Sequence, residues 1–458
     1  MREYWFLFLA PLLHFLASLS FPFVYWPEML NWPLILSAGW LPYKDFTTIH
    51  TPLLPYILTL FYSIFGFEIL SLRLFAAGML ALTSFLLGFL IFTTTKNKWL
   101  TVVSAFVYIY LTFAFEGNTV WFESALAPIF LLSFILMKKT LEEAESKNFF
   151  YLGGLLAVAL LIKQTSLYLL PVYALFFLYL FFRRKLTLQR VTLFIAPAAS
   201  LLLLFAFYLH SLDLWPHFYR WAVEFVFLLP SLSTADVPPD LLLPSKKQLL
   251  LILLIVFVGI YALWQTRKFA TLLALSFLIF SILFIFPRFA YFHLLIALPF
   301  FIILISELLH KSKNIMSFAL VLIFTGLTIP VFRGTVASGN RFLNPEVLEV
   351  ASYLQNSHPD SSIFSLNGPD LVYFLIRKPP AVRPWVDQLP WEMIFFGDQN
   401  FLQAFKKGDP DLVIFRPYLQ RAVDGLGAYQ PKLVVDYVFG HYTPIKKFEA
   451  GTIILKKI

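Results

Sequence analysis

From about residue 4 to residue 332 the chain is a succession of long apolar runs broken by short polar linkers. The runs fall at roughly 4–25, 69–94, 99–115, 121–137, 149–164, 167–182, 191–209, 248–265, 269–286, 290–309 and 315–332. Most approach the length of about 20 residues that a helix needs to cross a hydrocarbon layer of about 30 Å. The pattern therefore predicts a polytopic α-helical membrane protein with about eleven transmembrane helices. Two further apolar stretches fit a span less well. His50–Gly66 is short and opens with Pro52 and Pro55, and Trp215–Pro230 is studded with aromatics. Both predict helices lying in the membrane interface, because counting the first as a span would invert the charge pattern of every later loop.

Beyond residue 333 the pattern changes. Asn344-Pro345-Glu346 has the form of a helix start, with a capping side chain, a proline at the first position and an acid in the first turn. Short β-rich runs (SSIFSL, DLVIFRP, KLVVDYV, GTIILKKI) alternate with helical stretches (VLEVASYLQ, LVYFLI, FLQAFKKG). They predict a small α/β domain. It holds no glycine-rich phosphate loop, no His-Glu metal cluster and no nucleophile elbow, so it reads as a lid or a partner-contact domain. The expected division is a membrane domain over residues 1–333, with a first outer loop at 26–68, and an α/β domain over 334–458.

Composition agrees and adds sidedness. Hydrophobic residues make up 59% and charged residues 13% of the 458, with a mean hydropathy of +0.77. A soluble domain carries about 25% charged residues, which excludes a water-soluble fold for the whole chain. The absence of cysteine excludes disulfides, thiolate zinc sites and cysteine nucleophiles. The net charge of +9 does not imply a nucleic-acid partner, because the basic residues punctuate apolar runs instead of forming one face. They sit in every second linker: Lys96 and Lys98; Lys138, Lys139 and Lys147; Arg183, Arg184, Lys185 and Arg190; Arg267 and Lys268; Lys311 and Lys313; and Arg2 before the first run. By the positive-inside rule these linkers and the N-terminus are cytoplasmic. The first run is read as a retained helix, not a signal peptide, since many spans follow it. The outer face then receives 26–68, 116–120, the Lys163–Thr165 turn, 210–247, Pro287–Arg288 and the tail. The expected location is the plasma membrane, multi-pass, with the C-terminal domain extracytoplasmic.

Polar groups gather on that outer side. The first loop carries Glu28, Asp45 and His50, and the second carries Glu116 and Glu123. Lys163 and Gln164 end a short span, and Arg73, Arg288 and His293 lie near membrane depth. An ionisable residue inside a span costs about 2.5–3.5 kcal/mol, so each implies a cavity or a partner. Each also has a plainer reading. Asp45 could cap its own loop, Glu28 could be a solvated helix start, and Lys163 could snorkel to the headgroups. Arg73 could be an anchor, and Arg288 could contact lipid phosphate.

The segment Gly39–Gly66 (GWLPYKDFTTIHTPLLPYILTLFYSIFG), followed by Arg73, resembles the first outer loop of GT-C-type membrane glycosyltransferases. These include protein O-mannosyltransferases and lipid A aminoarabinose transferases. Gly153–Gln164 (GGLLAVALLIKQ), Trp121-Phe122-Glu123 and Arg288…His293…Pro299 are similar to later segments of the same families, in the same order. The resemblance implies a polyprenyl-phosphate sugar donor and inverting transfer to a lipid, glycan or protein acceptor at the outer face, among membrane lipids. It implies an acid in the first loop that activates the acceptor or orients a divalent metal, and basic groups that neutralise the leaving phosphate. On it, Asp45 and Glu28 are the catalytic candidates, and Lys163 and Arg288 the donor-phosphate ligands. His50, Glu123, Glu116, Gln164, His293 and Arg73 are further site candidates. A divalent metal (Mg or Mn), where one is used, would take Asp45 and Glu123.

The chain departs from the family at one place. The acid expected just after the first span is replaced by Phe23-Val24-Tyr25-Trp26, and the nearest acid is Glu28. Three alternatives stay open at this point: Glu28 has taken the role in a shifted register, Asp45 carries it, or catalysis is impaired. Two rival functions are a transporter or flippase of lipid-linked sugars and a non-catalytic membrane assembly protein. The first would show internal repeats or broken helices with midplane charges, which the chain lacks. The second would not need the loop motif.

Overall fold

The structure, a computed structural model, describes residues 4–229, 244–286, 288–311, 315–418 and 428–458, without the side chains of 315–318. Arg2, Pro287 and Lys313, used above for sidedness, lie outside the described residues, as does the 230–243 part of the predicted 210–247 loop. The chain forms two compact units: Met1–Val24 with Glu68–Tyr208 and Pro244–Gly339, and Tyr25–Phe67 with Leu209–Leu243 and Asn340–Ile458.

The first unit is helical. A helix stands at each predicted apolar run: Phe6–Ser20, Ile69–Thr95, Lys98–Ala114, Phe122–Glu142, Ser146–Ile162, Leu170–Phe182, Leu188–Ser211, Lys246–Thr266, Phe269–Ile282, Leu298–Lys311 and Ile315–Ala337. Among the described residues, six helices are long and apolar enough to cross a membrane: Ile69–Thr95, Phe122–Glu142, Gln164–Phe182, Leu188–Ser211, Lys246–Thr266 and Ala319–Ala337. Phe6–Ser20, Lys98–Ala114, Ser146–Ile162 and Phe269–Ile285 are apolar but shorter.

The basic linkers are tight turns. Lys96 and Arg267 end their helices in the left-handed region, at φ 54° and 53°. Asn97 then caps the following helix by accepting a bond from the Leu100 amide at 3.1 Å. Gly153 is needed for packing: a Cβ there would lie 1.9 Å from the Phe194 carbonyl oxygen on Leu188–Ser211. That partner helix buries only Leu209 and exposes Leu203, Leu204 and Phe207, the all-round apolar surface expected beside lipid. Phe122–Glu142 is mostly buried and carries Glu123.

The second unit combines the tail with the two long loops. A helix from Pro27 to Ser37 leads through Gly39 (φ 80°) to a helix from Leu53 to Phe65, which Gly66 (φ 93°) ends. The latter spans about 20 Å at 1.5 Å per residue, short of a hydrocarbon layer. It buries Leu54, Leu58 and Tyr62 along one stripe and exposes Leu60, Ile64 and Phe65 on another. Trp215–Leu228 is helical too, with Trp221 packed edge-on against Phe395 at 5.3 Å.

In the tail, four strands form one sheet in the order β1-β2-β4-β3: β1 Ile363–Leu366, β2 Leu412–Phe415, β3 Tyr442–Lys447 and β4 Ile453–Lys457. β1 and β2 are parallel and fully buried, and the other two pairs are antiparallel. The helix at Pro345–Ser357 starts as predicted, with the Asn344 side chain accepting from the Val347 amide at 3.1 Å. One β-rich run is a correction: KLVVDYV lies in a helix, Lys432–His441. Its valines at 434, 435 and 438 are buried together, at the spacing of one helical face, while Leu433 is exposed. The strand next to it, β3, carries Pro444 and three lysine or histidine neighbours on a sheet edge, where alternation is weak.

Candidate active site

In the helical unit three candidates meet. Glu123 lies in the first turn of Phe122–Glu142, where a helix N-terminus favours a carboxylate. The start is fixed by Ser124, whose hydroxyl accepts from the Trp121 amide at 3.0 Å. Lys163 ends Ser146–Ile162 in an extended conformation, and the chain re-enters a helical turn at Gln164. This one-residue break turns its ammonium into the protein, where it pairs with Glu123 Oε1 and lies 5.6 Å from the Phe284 ring centre. His293, on the turn Tyr291–Ile296, places Nδ1 2.6 Å from the same oxygen. Glu123 is fully buried and Lys163 nearly so. An unpaired charge there would cost several kcal/mol, so each group requires the other. Glu123 Oε2 is buried and has no hydrogen-bond partner among the described residues. It leaves one acceptor position for a hydroxyl or a water.

The other candidates of this unit stand differently. Arg73 donates to the carbonyls of Ser18 (3.0 Å) and Phe21 (2.7 Å), closing the C-terminal end of Phe6–Ser20 together with the Asn118 amide. It thus satisfies orphan carbonyls of a helix end, the work of an anchor. Glu116 is left-handed (φ 57°) and lines a small pocket with Phe21, Pro22 and Asn118. Gln164 opens the turn Gln164–Leu169, half-buried, and Arg288 is half-buried in a bend.

The second unit holds Glu28, Asp45 and His50. Asp45 Oδ2 accepts from the Leu41 amide at 2.9 Å, and the Asp45 amide donates to the Leu41 carbonyl at 2.9 Å, so the carboxylate closes its own turn. His50 is buried, and its carbonyl accepts from the Tyr43 hydroxyl at 2.9 Å. Glu28 stands in the first turn of Pro27–Ser37. Around it are three acids of the tail that the sequence did not single out: the half-buried Asp370 and the buried Asp387 and Glu392. Burial, and then the negative charge of Glu28, push Asp370 up to about 7, against a bond from Gln388 Nε2 at 3.1 Å. Burial and the neighbouring carboxylates push Asp387 well up, and burial and Glu28 push Glu392 up against a bond from Thr47. These shifts all favour the protonated form of the acids. A hint was present in PWVDQLPWE, where Asp387 stands between two tryptophans and Glu392 directly follows the second, with no basic residue in the segment.

Divalent metal fits poorly at Glu123. One oxygen is already shared by an ammonium and an imidazole, and a dication would face that ammonium. Among the described residues no three His, Asp or Glu side chains form a metal-holding group.

Residues 49–210 match the sequence model of the dolichyl-phosphate-mannose-protein mannosyltransferase family. That segment includes His50, Arg73, Glu116, Glu123, Lys163 and Gln164. The fold is similar to ArnT of Cupriavidus metallidurans, solved bound to undecaprenyl phosphate, with a TM-score of 0.58 and 13% identity over 98% of this chain and 96% of that one. It is also similar to the archaeal oligosaccharyltransferase AglB of Archaeoglobus fulgidus, solved with an inhibitory peptide and a dolichol-phosphate. There the TM-score is 0.53 at 12% identity, over 100% of this chain and 74% of that one. No curated protein matches the chain in sequence. The expected resemblance to GT-C glycosyltransferases is borne out by the family match and the fold.

Proposed function

We propose that the protein is a multi-pass membrane glycosyltransferase that moves a sugar, with inversion, from a polyprenyl-phosphate donor to a hydroxyl-bearing acceptor at the outer face of the plasma membrane. The observation that carries this is the buried Lys163–Glu123–His293 cluster of the helical unit, of which Glu123 and Lys163 fall within the family-matched residues 49–210. An ammonium held in an apolar unit suits the charge that develops on a leaving phosphate. The family match and the likeness to ArnT and AglB support the donor class. Loop charges support the sidedness. The two long loops and the tail, all assigned to the outer face, share one compact unit, as that assignment requires.

In this mechanism the acceptor oxygen attacks the anomeric carbon as its bond to the phosphate oxygen breaks. Asp45 takes the acceptor proton, and Lys163 and Arg288 neutralise the released polyprenyl phosphate. Glu123 holds Lys163 in place, and its second oxygen accepts a hydrogen bond from a sugar hydroxyl.

The test is release of polyprenyl phosphate by purified protein given a polyprenyl-phosphate sugar and a hydroxyl acceptor. Turnover is expected from the native chain and from Glu28→Ala, and its loss from Asp45→Ala. Lipid translocation without turnover would support a flippase instead.

A further inference from the structure

The bonds of the tail to the first loop are specific and converge on one point. Trp385 pairs with the loop in parallel at Phe46: the Trp385 amide donates to the Asp45 carbonyl at 2.9 Å, and the Thr47 amide donates to the Trp385 carbonyl at 2.8 Å. The Thr47 hydroxyl then sits in a relay. It accepts from the Asp387 amide at 3.1 Å and donates to Glu392 Oε2 at 3.0 Å. Thr47 and Trp385 are fully buried, and Asp387 and Glu392 nearly so. Asp45 is therefore held on both sides: by its own turn to Leu41, and through the next two residues by a tail segment some 340 residues away in sequence.

The geometry points to Glu392 as a positioning residue for Asp45, acting through Thr47, with the tail segment Trp385–Glu392 serving as the strut of the acceptor loop. This gives the tail a part in turnover that a lid or a partner-contact module would not have. It rests on the assignment of Asp45 as the base. A loop held at its backbone and at the Thr47 hydroxyl leaves the neighbouring carboxylate little freedom, and a misplacement of about 1 Å can cost about 100-fold in rate.

The experiment compares Thr47→Val, Glu392→Ala and Glu392→Gln in the full-length protein. Turnover is read alongside amide exchange at Thr47, Trp385 and Asp387 and tryptic cleavage after the exposed Lys44. Thr47→Val removes the relay while keeping the side-chain shape, so it is informative where Glu392→Ala fails to fold. The expected result is a fall of about 10- to 100-fold in kcat with little change in the donor KM, and faster exchange and cleavage. Glu392→Gln, which keeps the acceptor oxygen, should restore both. Unchanged kcat in Thr47→Val, lowered kcat with unchanged exchange, or a change confined to KM would each overturn the proposal. Asp45→Asn should abolish turnover and leave exchange untouched. A native chain without turnover would refute the glycosyltransferase assignment, while exchange and cleavage would still report on the strut.

Discussion

The two units bury ionisable side chains by opposite means. In the helical unit the Glu123 carboxylate is paired with a lysine and a histidine. In the second unit Asp370, Asp387 and Glu392 gather around Glu28, and burial with mutual repulsion makes them hold protons instead. The difference separates two kinds of work. A paired ammonium is available to meet an arriving phosphate, whereas protonated acids act as neutral hydrogen-bonding groups that brace a loop.

Removing one partner of the paired cluster should have the largest effect. Lys163→Met leaves a buried carboxylate with only His293 beside it, and should cost about 3–5 kcal/mol of stability in detergent-based thermal unfolding. Adding Glu123→Gln to that variant should recover much of the loss. A double variant no more stable than the single one would contradict the pairing.

The acid group should respond to pH. Asp370, Asp387 and Glu392 have folded values above their ordinary ones, so the native state binds more protons than the unfolded chain. Their contribution is complete below about pH 4 and is lost as pH rises, through about 7 for Asp370 and about 8 for Glu392. The slope is about 1 kcal/mol per pH unit for each group. Asp370→Asn should flatten it, measured by unfolding of the second unit between pH 5 and 9. Stability that rises over that range would refute the protonated cluster.

Packing and surface charge give smaller effects. Gly153→Ala puts a methyl group into the Phe194 carbonyl and should destabilise the helical unit by about 1–3 kcal/mol. The exposed Lys457–Asp409 pair, at 2.5 Å, is screened by solvent, so Asp409→Asn serves as the near-silent comparison.

Helix positions were legible because each apolar run is long and its linkers are basic, features read from neighbours in sequence. Lys163, Glu123 and His293 were each visible as ionisable residues in apolar surroundings, but nothing local said that they meet, since 40 and 170 residues separate the pairs. The same distance problem hid the strut, because Thr47 and Glu392 are 345 residues apart. Arg73 looked like a substrate contact or an anchor by position alone, and only the orphan carbonyls of Ser18 and Phe21 show what it holds. KLVVDYV was misread because a run of valines suits a strand locally, whereas its buried residues follow a helical face.

The most direct test is equilibrium binding of polyprenyl phosphate to the native protein, Lys163→Met and Asp45→Asn. The expected result is a loss of about 10- to 100-fold in affinity for Lys163→Met, the scale of one charge-assisted contact, with native affinity but no turnover for Asp45→Asn. Native affinity in Lys163→Met, or weakened binding in Asp45→Asn, would contradict the assignment of phosphate to the helical unit and of the acceptor proton to the first loop.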